Sequence, residues 1–219
     1  MTDRAVILDV DGTLVDSDDA HADAWVEVFT EFGITVAYDA VRRSIGMGGD
    51  KLMPEVSGIA ETSALGQRIA GRRAEIFKFK YLPGITAFPG VRDLVSRFRA
   101  DGYELTVASS AKEDELDPLL EAAGVSDLIR KRTSSDDADR SKPDPDIVVA
   151  ALQQAKVDRS RAVMIGDTPY DVAAAKRAGI EIVGVECGGW TREALAGAVE
   201  VYRDPADLLN RYTSSIFGR

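Results

Sequence analysis

Short apolar runs that end in polar residues recur along this chain. Residues 5–8 are entirely apolar and lead directly into Asp9. The same design returns at residues 105–108, 162–165 and 180–185. Runs of this kind are typical of strands that are buried on both faces of a parallel sheet. The pattern therefore predicts four buried strands, with polar side chains at their carboxyl ends.

Helical patterns fill the intervals between these runs. They cover residues 91–100, 114–123, 145–155 and 170–178. Gly102, Gly124 and Gly179 stand where three of these helices stop, in positions that favour a left-handed residue. Because strands that alternate with helices require right-handed crossovers, they form a mostly parallel sheet that is covered on both faces. We therefore predict an α/β fold with a Rossmann-like parallel-sheet core.

The alternation breaks between residues 18 and 83, where helical patterns occur without a convincing buried strand. Helices are expected at residues 22–32, 40–45, 51–56 and 64–79. We interpret this stretch as an inserted small α-helical cap domain of residues 16–87. The catalytic core would then consist of residues 1–15 and 88–219.

Composition and charge narrow the class of protein. The chain has 219 residues, of which 45% are apolar and 29% charged, as in soluble globular proteins. A formal net charge of -10 argues against a nucleic-acid partner. No apolar run approaches the roughly 20 residues that a membrane helix needs, and the first residues are too quickly charged for a signal peptide. We expect a cytoplasmic protein without a membrane partner, and the oligomeric state is left open.

The single cysteine, Cys187, excludes an intrachain disulfide. Its simplest interpretation is a small buried residue. Residues 188–190 are interpreted as a turn, and we expect neither feature to belong to the functional site.

Carboxylates gather at the predicted strand ends. Asp9 and Asp11 stand two residues apart, so their side chains leave the chain on the same face, and Asp167 and Asp171 follow another strand. Two carboxylates about 4 Å apart repel by roughly 4 kcal/mol at an effective dielectric near 20. A shared proton cannot neutralise three or four of them, whereas a hard divalent cation prefers such oxygen ligands. The cluster predicts Mg²⁺.

A magnesium site made of carboxylates can either bind an anion or attack one. A carboxylate can act as a phosphoryl nucleophile and form an aspartyl-phosphate that water then hydrolyses. Asp11 would in that case protonate the leaving oxygen and afterwards deprotonate the water. The residues alone leave both possibilities open.

Four short motifs occur in order and together span nearly the whole chain. They are Asp9-Val-Asp-Gly-Thr-Leu-Val-Asp16, Ser109 after a strand, Lys142-Pro143, and Gly166-Asp-Thr-Pro-Tyr-Asp171. This set resembles the haloacid dehalogenase-like hydrolases. Because the dehalogenating members lack the second acid of the first motif, Asp11 argues for phosphate chemistry.

The resemblance implies a role for each matched residue. Asp9 would be the nucleophile and a metal ligand, and Asp11 would be the general acid/base and a ligand through its backbone carbonyl. Ser109 would hold the phosphate together with the backbone that follows Asp11. Lys142 would screen the carboxylates and orient Asp9. Of the residues in the fourth motif, Asp167 would bind the metal, and Asp171 would bind or buttress it.

The insert is similar to the helical cap of phosphoglycolate phosphatases, small sugar phosphatases and β-phosphoglucomutases. Such a cap would exclude water and select the substrate. The candidate substrate-binding residues are Ser17, His21, Gly48, Lys51 and Ser110.

Several candidates also have a plainer interpretation. Ser109 could be an ordinary helix N-cap, and Lys142 could be a solvated loop charge. Asp171 could lie on a helix surface, and His21 could be a surface or capping residue. Lys51 could equally be a solvated charge.

The predicted function is magnesium-dependent hydrolysis of a small phosphorylated metabolite, of the phosphoglycolate or sugar-phosphate type, through an aspartyl-phosphate on Asp9. A phosphomutase resembling β-phosphoglucomutase is one alternative, because His21 falls where mutases place a histidine. Against it, Gly49 stands where mutases keep a phosphate-binding arginine. A non-catalytic sensor of metal or phosphate is a second alternative.

Overall fold

A six-stranded parallel sheet forms the centre of the computed structural model, which describes residues 4–219. The strands are β1 (Ala5–Leu8), β2 (Glu104–Ala108), β3 (Lys131–Thr133), β4 (Ala162–Gly166), β5 (Glu181–Val185) and β6 (Glu200–Tyr202). Their order across the sheet is β3-β2-β1-β4-β5-β6, and every neighbouring pair is parallel. The predicted α/β class with a parallel-sheet core is confirmed.

Helices occupy the connections between the strands. Those between β1 and β2 are α1 (Asp18–Glu31), α2 (Tyr38–Ser44), α3 (Gly49–Ser57) and α4 (Ala64–Ile76), followed by a π-helical turn (Phe77–Tyr81) and a 3₁₀ turn (Leu82–Gly84), and then by α5 (Val91–Ala100). The later helices are α6 (Glu113–Ala122), α7 (Asp146–Ala155), α8 (Pro169–Ala178) and α9 (Pro205–Asn210). Short 3₁₀ turns cover Ser135–Asp137, Arg159–Arg161 and Tyr212–Ser214.

The central strand β1 shows why the sequence of a parallel strand is continuously apolar. All four of its residues are buried. Val6 and Leu8 belong to the hydrophobic cluster on one face of the sheet, while Ala5 and Ile7 belong to the cluster on the other. Since successive side chains point to opposite faces, a strand covered on both sides needs an apolar residue at every position.

The two edge strands were not predicted from the sequence. Both β3 and β6 have only three residues, and they include the charged Lys131, Arg132 and Glu200. An edge strand is partly solvated and hydrogen bonds on one side only, so it lacks the continuous apolar run that marks a central strand. The four apolar runs became the four inner strands of the sheet.

The observed helix boundaries differ from the predicted ones by a few residues. Helix α1 begins at Asp18, one turn before the predicted start, because an acidic first turn is favoured at the positive end of a helix. Helix α4 ends at Ile76 and the chain continues in π-helical geometry to Tyr81, two residues beyond the predicted helix.

The chain enters and leaves the helical stretch at neighbouring points. Val15 forms an antiparallel bridge with Ala87. The amide of Asp16 donates to the carbonyl of Thr86 (3.0 Å), and the amide of Phe88 donates to the carbonyl of Leu14 (3.0 Å). Two crossings that lie side by side are what an insertion into a core requires. The division into two domains at residues 16–87 stays a prediction.

Within residues 4–219, no helix has the length and the apolar composition needed to cross a bilayer.

We expect Phe98 to be a major source of stability. Its side chain is fully buried, and its ring lies 4.8 Å from that of Phe217 and 5.7 Å from that of Tyr212, so it anchors the C-terminal segment. Phe98→Ala should lower the free energy of unfolding by about 3–5 kcal/mol, measured by urea denaturation. The matched control is Phe79→Ala, because the Phe79 side chain is 84% exposed and its loss should change little. Equal effects of both variants would contradict this packing.

Candidate active site

Three carboxylates converge where β1 and β4 end. The strands are aligned so that Leu8 lies opposite Ile165, which brings Asp9 and Asp167 to one edge of the sheet. Asp171 reaches the same point from the first turn of α8. One carboxylate oxygen from each of these three aspartates lies within 4.8 Å of the other two, and all three residues are buried. The structure thus brings together three of the four predicted metal ligands.

Asp171 is positioned by a capping box at the start of α8. Its Oδ2 accepts hydrogen bonds from the backbone amide (3.0 Å) and the hydroxyl (2.6 Å) of Thr168. Its Oδ1 lies 2.8 Å from Lys142 Nζ. A Cβ atom at Gly166 would come within 2.7 Å of the Asp171 side chain, so this glycine of the fourth motif makes room for the carboxylate. The helix-surface interpretation of Asp171 is wrong.

Lys142 is a buried cation at the centre of the cluster. Its ammonium lies 2.5 Å from Asp9 Oδ1 and 2.8 Å from Asp171 Oδ1, and the side chain is 1% exposed. Burial alone would lower the pKa of Lys142, but the charges of Asp171 and Asp9 outweigh it and raise that pKa. The lysine therefore stays protonated, and the solvated-loop interpretation is wrong.

Lys142 alone does not offset the negative charge of the three carboxylates. Burial raises the pKa of Asp9 to about 7, although Lys142 opposes this shift. Burial and the neighbouring carboxylate of Asp18 raise the pKa of Asp167. Thr13 Oγ1 lies 3.0 Å from Asp167 Oδ1, but Asp167 Oδ2 is buried and has no hydrogen-bond partner within residues 4–219. A buried carboxylate oxygen without a partner, beside two other carboxylates, fits a ligand of a hard divalent cation such as Mg²⁺.

Asp11 lies beside this cluster in a different environment. Its Oδ1 accepts a hydrogen bond from Ser17 Oγ (2.6 Å) and lies 2.8 Å from His21 Nε2. Burial acts to raise the pKa of Asp11, but the charge and hydrogen bond of His21 outweigh it and lower that pKa. The side chain is not part of the three-carboxylate cluster, which is compatible with the predicted ligand role of its backbone carbonyl.

His21 belongs to a buried network of polar side chains that was not predicted from the sequence. The residue is 5% exposed, and its ring stacks on Phe77 with 4.0 Å between ring centroids. Its Nδ1 contacts the guanidinium of Arg73, which also forms two hydrogen bonds to the Glu115 carboxylate (2.9 and 2.8 Å). This network therefore connects Asp11, through His21 and Arg73, to Glu115 on α6. The surface interpretation of His21 is wrong.

The sequence did contain a signal for Arg73. It stands four residues after Ile69 and four before Phe77, and both of those residues are fully buried. Positions four apart share one face of a helix, so Arg73 interrupts an apolar face. A charge in such a position is expected to have a buried partner.

A cavity of about 340 Å³ opens beside Asp9 and Asp11, between the helical insert and the sheet edge. Of the predicted substrate-binding residues, His21, Gly48 and Ser110 line it. Ser110 Oγ also donates to the carbonyl of Gly46 (3.1 Å).

The other two predicted substrate-binding residues lie outside the cavity lining formed by residues 4–219. Ser17 is fully buried and donates to Asp11. Lys51 joins the insert to the core, since its ammonium lies 2.8 Å from the carbonyl of Ser141 and 2.5 Å from Asp144 Oδ2. Lys51 is thus bound within the protein and is not available as a free cation.

Ser109 lies directly behind the cavity lining. It is fully buried, and its Oγ accepts a hydrogen bond from the amide of Ala111 (3.0 Å). Its own amide donates to the carbonyl of Thr133 (3.1 Å). The phosphate contact of Ser109 stays a prediction.

Two glycines allow the backbone to approach Asp167. Gly12 has φ +71°, and a Cβ atom there would lie 2.4 Å from Asp167 Oδ2. A Cβ atom at Gly188 would lie 1.8 Å from the same oxygen, and the Gly188 carbonyl accepts a hydrogen bond from Arg42 (2.7 Å). The turn at residues 188–190 was expected to lie outside the site, and this was wrong. No sequence signal distinguishes such a glycine from one in an ordinary turn.

Cys187 is half-buried and lies at the same wall, where its Sγ donates to the carbonyl of Gly12 (3.2 Å).

Comparison with known proteins agrees with this geometry. The family described as haloacid dehalogenase-like hydrolase matches residues 6–185. The phosphoglycolate phosphatase of Rhodospirillum rubrum is 33% identical over 215 residues, which cover 94% of this chain and 89% of that protein. The validoxylamine A 7'-phosphate phosphatase of Streptomyces hygroscopicus subsp. limoneus is 28% identical, with 94% of this chain and 95% of that protein covered.

The fold is shared with a solved structure as well. The crystal structure of a hydrolase from Pseudomonas syringae superposes with a TM-score of 0.90 at 30% identity, over 96% of this chain and 98% of that chain. The chain therefore belongs to the haloacid dehalogenase-like hydrolases and is an enzyme of their phosphatase class.

Proposed function

We propose that the protein is a magnesium-dependent phosphatase that hydrolyses a small phosphomonoester, of the phosphoglycolate or sugar-phosphate type, through an aspartyl-phosphate on Asp9. One observation carries the proposal. Asp9 and Asp11 line the same cavity, yet Asp9 is paired with a buried lysine while Asp11 is held by His21. Two carboxylates in different environments suit two different chemical roles.

Asp9, Asp167 and Asp171 would hold Mg²⁺ through their carboxylates, together with the backbone carbonyl of Asp11. When bound, the ion would reduce the repulsion between the Asp9 carboxylate and the phosphate dianion.

In the first half-reaction, a carboxylate oxygen of Asp9 attacks phosphorus and the bond between phosphorus and the leaving oxygen breaks. Asp11 gives its proton to that oxygen, so the product leaves as a neutral alcohol. The charge and hydrogen bond of His21 lower the pKa of Asp11. A phosphate dianion nearby would raise this pKa again and so favour the protonated form that the step requires.

In the second half-reaction, Asp11 takes a proton from a water molecule whose oxygen attacks phosphorus. The bond between phosphorus and Asp9 breaks, and inorganic phosphate is released. Lys142 stays protonated throughout and fixes the orientation of Asp9 through its 2.5 Å contact.

Residues 16–87 would act as a cap over a core of residues 1–15 and 88–219. Contacts across this proposed boundary join Lys51 to Asp144, Arg73 to Glu115, and Asp50 to the hydroxyl of Ser141 (2.5 Å). Closure of the cap would exclude bulk water from Asp9 during the first half-reaction. The known enzyme class leaves the non-catalytic sensor without support.

A phosphomutase is the second candidate, and the contact between His21 and Asp11 favours it. A mutase would return the phosphoryl group from Asp9 to the sugar. We expect β-glucose 1-phosphate, supplied with a trace of the corresponding bisphosphate, to give free phosphate in the presence of Mg²⁺. Chromatography would monitor the products. Conversion to the 6-phosphate without release of free phosphate would contradict the proposal that the protein is a hydrolase.

Replacement of the nucleophile should abolish turnover. Asp9→Asn removes the attacking oxygen while keeping the size of the side chain, so release of phosphate from an aryl phosphate with Mg²⁺ should fall by roughly a thousandfold or more. The control is Asp23→Asn, because Asp23 is exposed on α1 and lies outside the cavity lining. If the wild-type protein releases no phosphate, although Asp9→Asn binds the same esters in calorimetry, the proposed function is wrong.

Asp167 offers a test of the metal site that does not depend on activity. The raised pKa of Asp167 means that its ionised form destabilises the metal-free protein at neutral pH. Asp167→Asn should therefore raise the melting temperature of the metal-free protein and remove the further rise that Mg²⁺ gives the wild type.

The measurement is thermal unfolding at neutral pH with a chelator and with excess Mg²⁺, with Asp23→Asn as the matched control. A variant that keeps the full stabilisation by Mg²⁺ would show that Asp167 is not a ligand.

A further inference from the structure

The cavity wall away from Asp9 and Asp11 is acidic. Its charged residues are five carboxylates and two cations: Asp50, Glu61, Glu115, Asp136 and Asp139, with Arg73 and Lys112. If the phosphate of a substrate lies against Asp9, this wall faces the rest of the substrate molecule. The negative charge of the wall should therefore influence which phosphate esters bind, according to the groups that their alcohol part carries.

Of the two cations of this wall, Arg73 is paired with a carboxylate and Lys112 is exposed to solvent. Both oxygens of Glu115 accept hydrogen bonds from Arg73, at 2.9 and 2.8 Å. Lys112 is solvent-exposed, and it forms no ion pair with Glu61 in the described chain, although its charge lowers the pKa of Glu61. Lys51, which could have supplied another cation, is paired with Asp144 outside the lining. A second anionic group on a substrate would thus find no unmatched buried cation in the described lining.

Glu61 differs from the other carboxylates of the wall. It is half-buried in the loop between α3 and α4, and it makes no hydrogen bond or ion pair with any residue in the range 4–219. Burial raises the pKa of Glu61, Lys112 lowers it, and Asp50 raises it further. A Cβ atom at Gly49 would lie 3.1 Å from Glu61 Oε1, which places the carboxylate against the cavity-lining backbone of the insert.

A carboxylate in this position can accept hydrogen bonds but cannot donate them. Hydroxyl and ammonium groups of a substrate would satisfy it, whereas a substrate carboxylate would face a like charge and lose hydration without gaining a partner. The same wall therefore attracts one class of alcohol and repels another.

We propose that this cavity selects phosphomonoesters whose alcohol part is hydroxyl-rich or carries an amine, that it rejects those carrying a carboxylate, and that Glu61 is a specificity-determining residue for this choice. The inference rests on the proposed phosphatase function and narrows it. Of the two substrate types left open above, it favours the sugar-phosphate type over phosphoglycolate.

Pairs of esters that differ in one group give the sharpest test. The six-carbon pair is glucitol 6-phosphate and 6-phosphogluconate, and the two-carbon set is 2-hydroxyethyl phosphate, phosphoethanolamine and phosphoglycolate. We expect kcat/KM for each hydroxyl or amine member to exceed that for its carboxylate counterpart by roughly tenfold or more. Glu61→Gln should reduce this ratio severalfold, and Glu61→Lys should bring it to one or below.

Glu55→Gln is the matched control, because Glu55 is an exposed glutamate on α3 outside the cavity lining, and its loss should leave the ratio unchanged. Since Glu61 has no partner to lose, its variants should unfold at nearly the wild-type urea concentration, which separates specificity from misfolding.

The outcomes distinguish the inference from the function on which it rests. Equal or faster turnover of the carboxylate esters overturns the inference and leaves the phosphatase intact. A hydroxyl preference that neither Glu61 variant changes overturns the role of Glu61. Absence of phosphate release from every ester, including an aryl phosphate, overturns the phosphatase and the inference together.

Discussion

The structure depends on the balance of charge among three buried carboxylates and one buried lysine. Asp9, Asp167 and Asp171 approach within 4.8 Å of one another, and Lys142 is the single ammonium in contact with them in the described chain. Like charges so close in a dry environment repel strongly, and one cation cannot offset three anions. Burial, reinforced by the neighbouring carboxylates, raises the pKa of Asp9 and of Asp167, and the remaining negative charge fits the binding of a divalent ion. Gly12, Gly166 and Gly188 lack side chains that would collide with the Asp167 and Asp171 carboxylates, so they allow this close arrangement.

The topology of the sheet is what makes this cluster possible. Asp9 and Asp167 are far apart in sequence, but β1 and β4 are parallel neighbours in aligned register, so the residues after them meet at one edge. The π-helical turn and the long insert between β1 and β2 do not disturb this register, because the chain leaves and re-enters the core at the bridge between Val15 and Ala87. A core of this kind can carry very different inserts while its carboxylates stay in place.

The inner part of this architecture could be predicted from the sequence, and the outer part could not. Continuous apolar runs identify strands that are buried on both faces, and carboxylates at their ends identify the sheet edge that carries chemistry. The strand β3 escaped prediction because an edge strand with Lys131 and Arg132 has no apolar run. The contact of Gly188 with Asp167 could not be predicted, because the need for a glycine at this position comes from a residue that is close in space but distant in sequence. Arg73 could have been found as a charge on a buried helix face, but its partner Glu115 depends on how the insert packs against α6.

The two halves of the proposed chemistry are positioned by different parts of the chain. Asp9 is held by residues of the predicted core, namely Lys142 and Thr13, and by its position at the end of β1. Asp11 is held by Ser17 and His21, which belong to the start of the insert, and through His21 by Arg73 on α4. A movement of the insert would therefore shift the proposed acid/base while leaving the nucleophile fixed. Because the insert also carries Glu61, the segment that would select the alcohol also orients the group that would protonate it. In the proposed mechanism, substrate specificity and turnover would therefore be physically coupled.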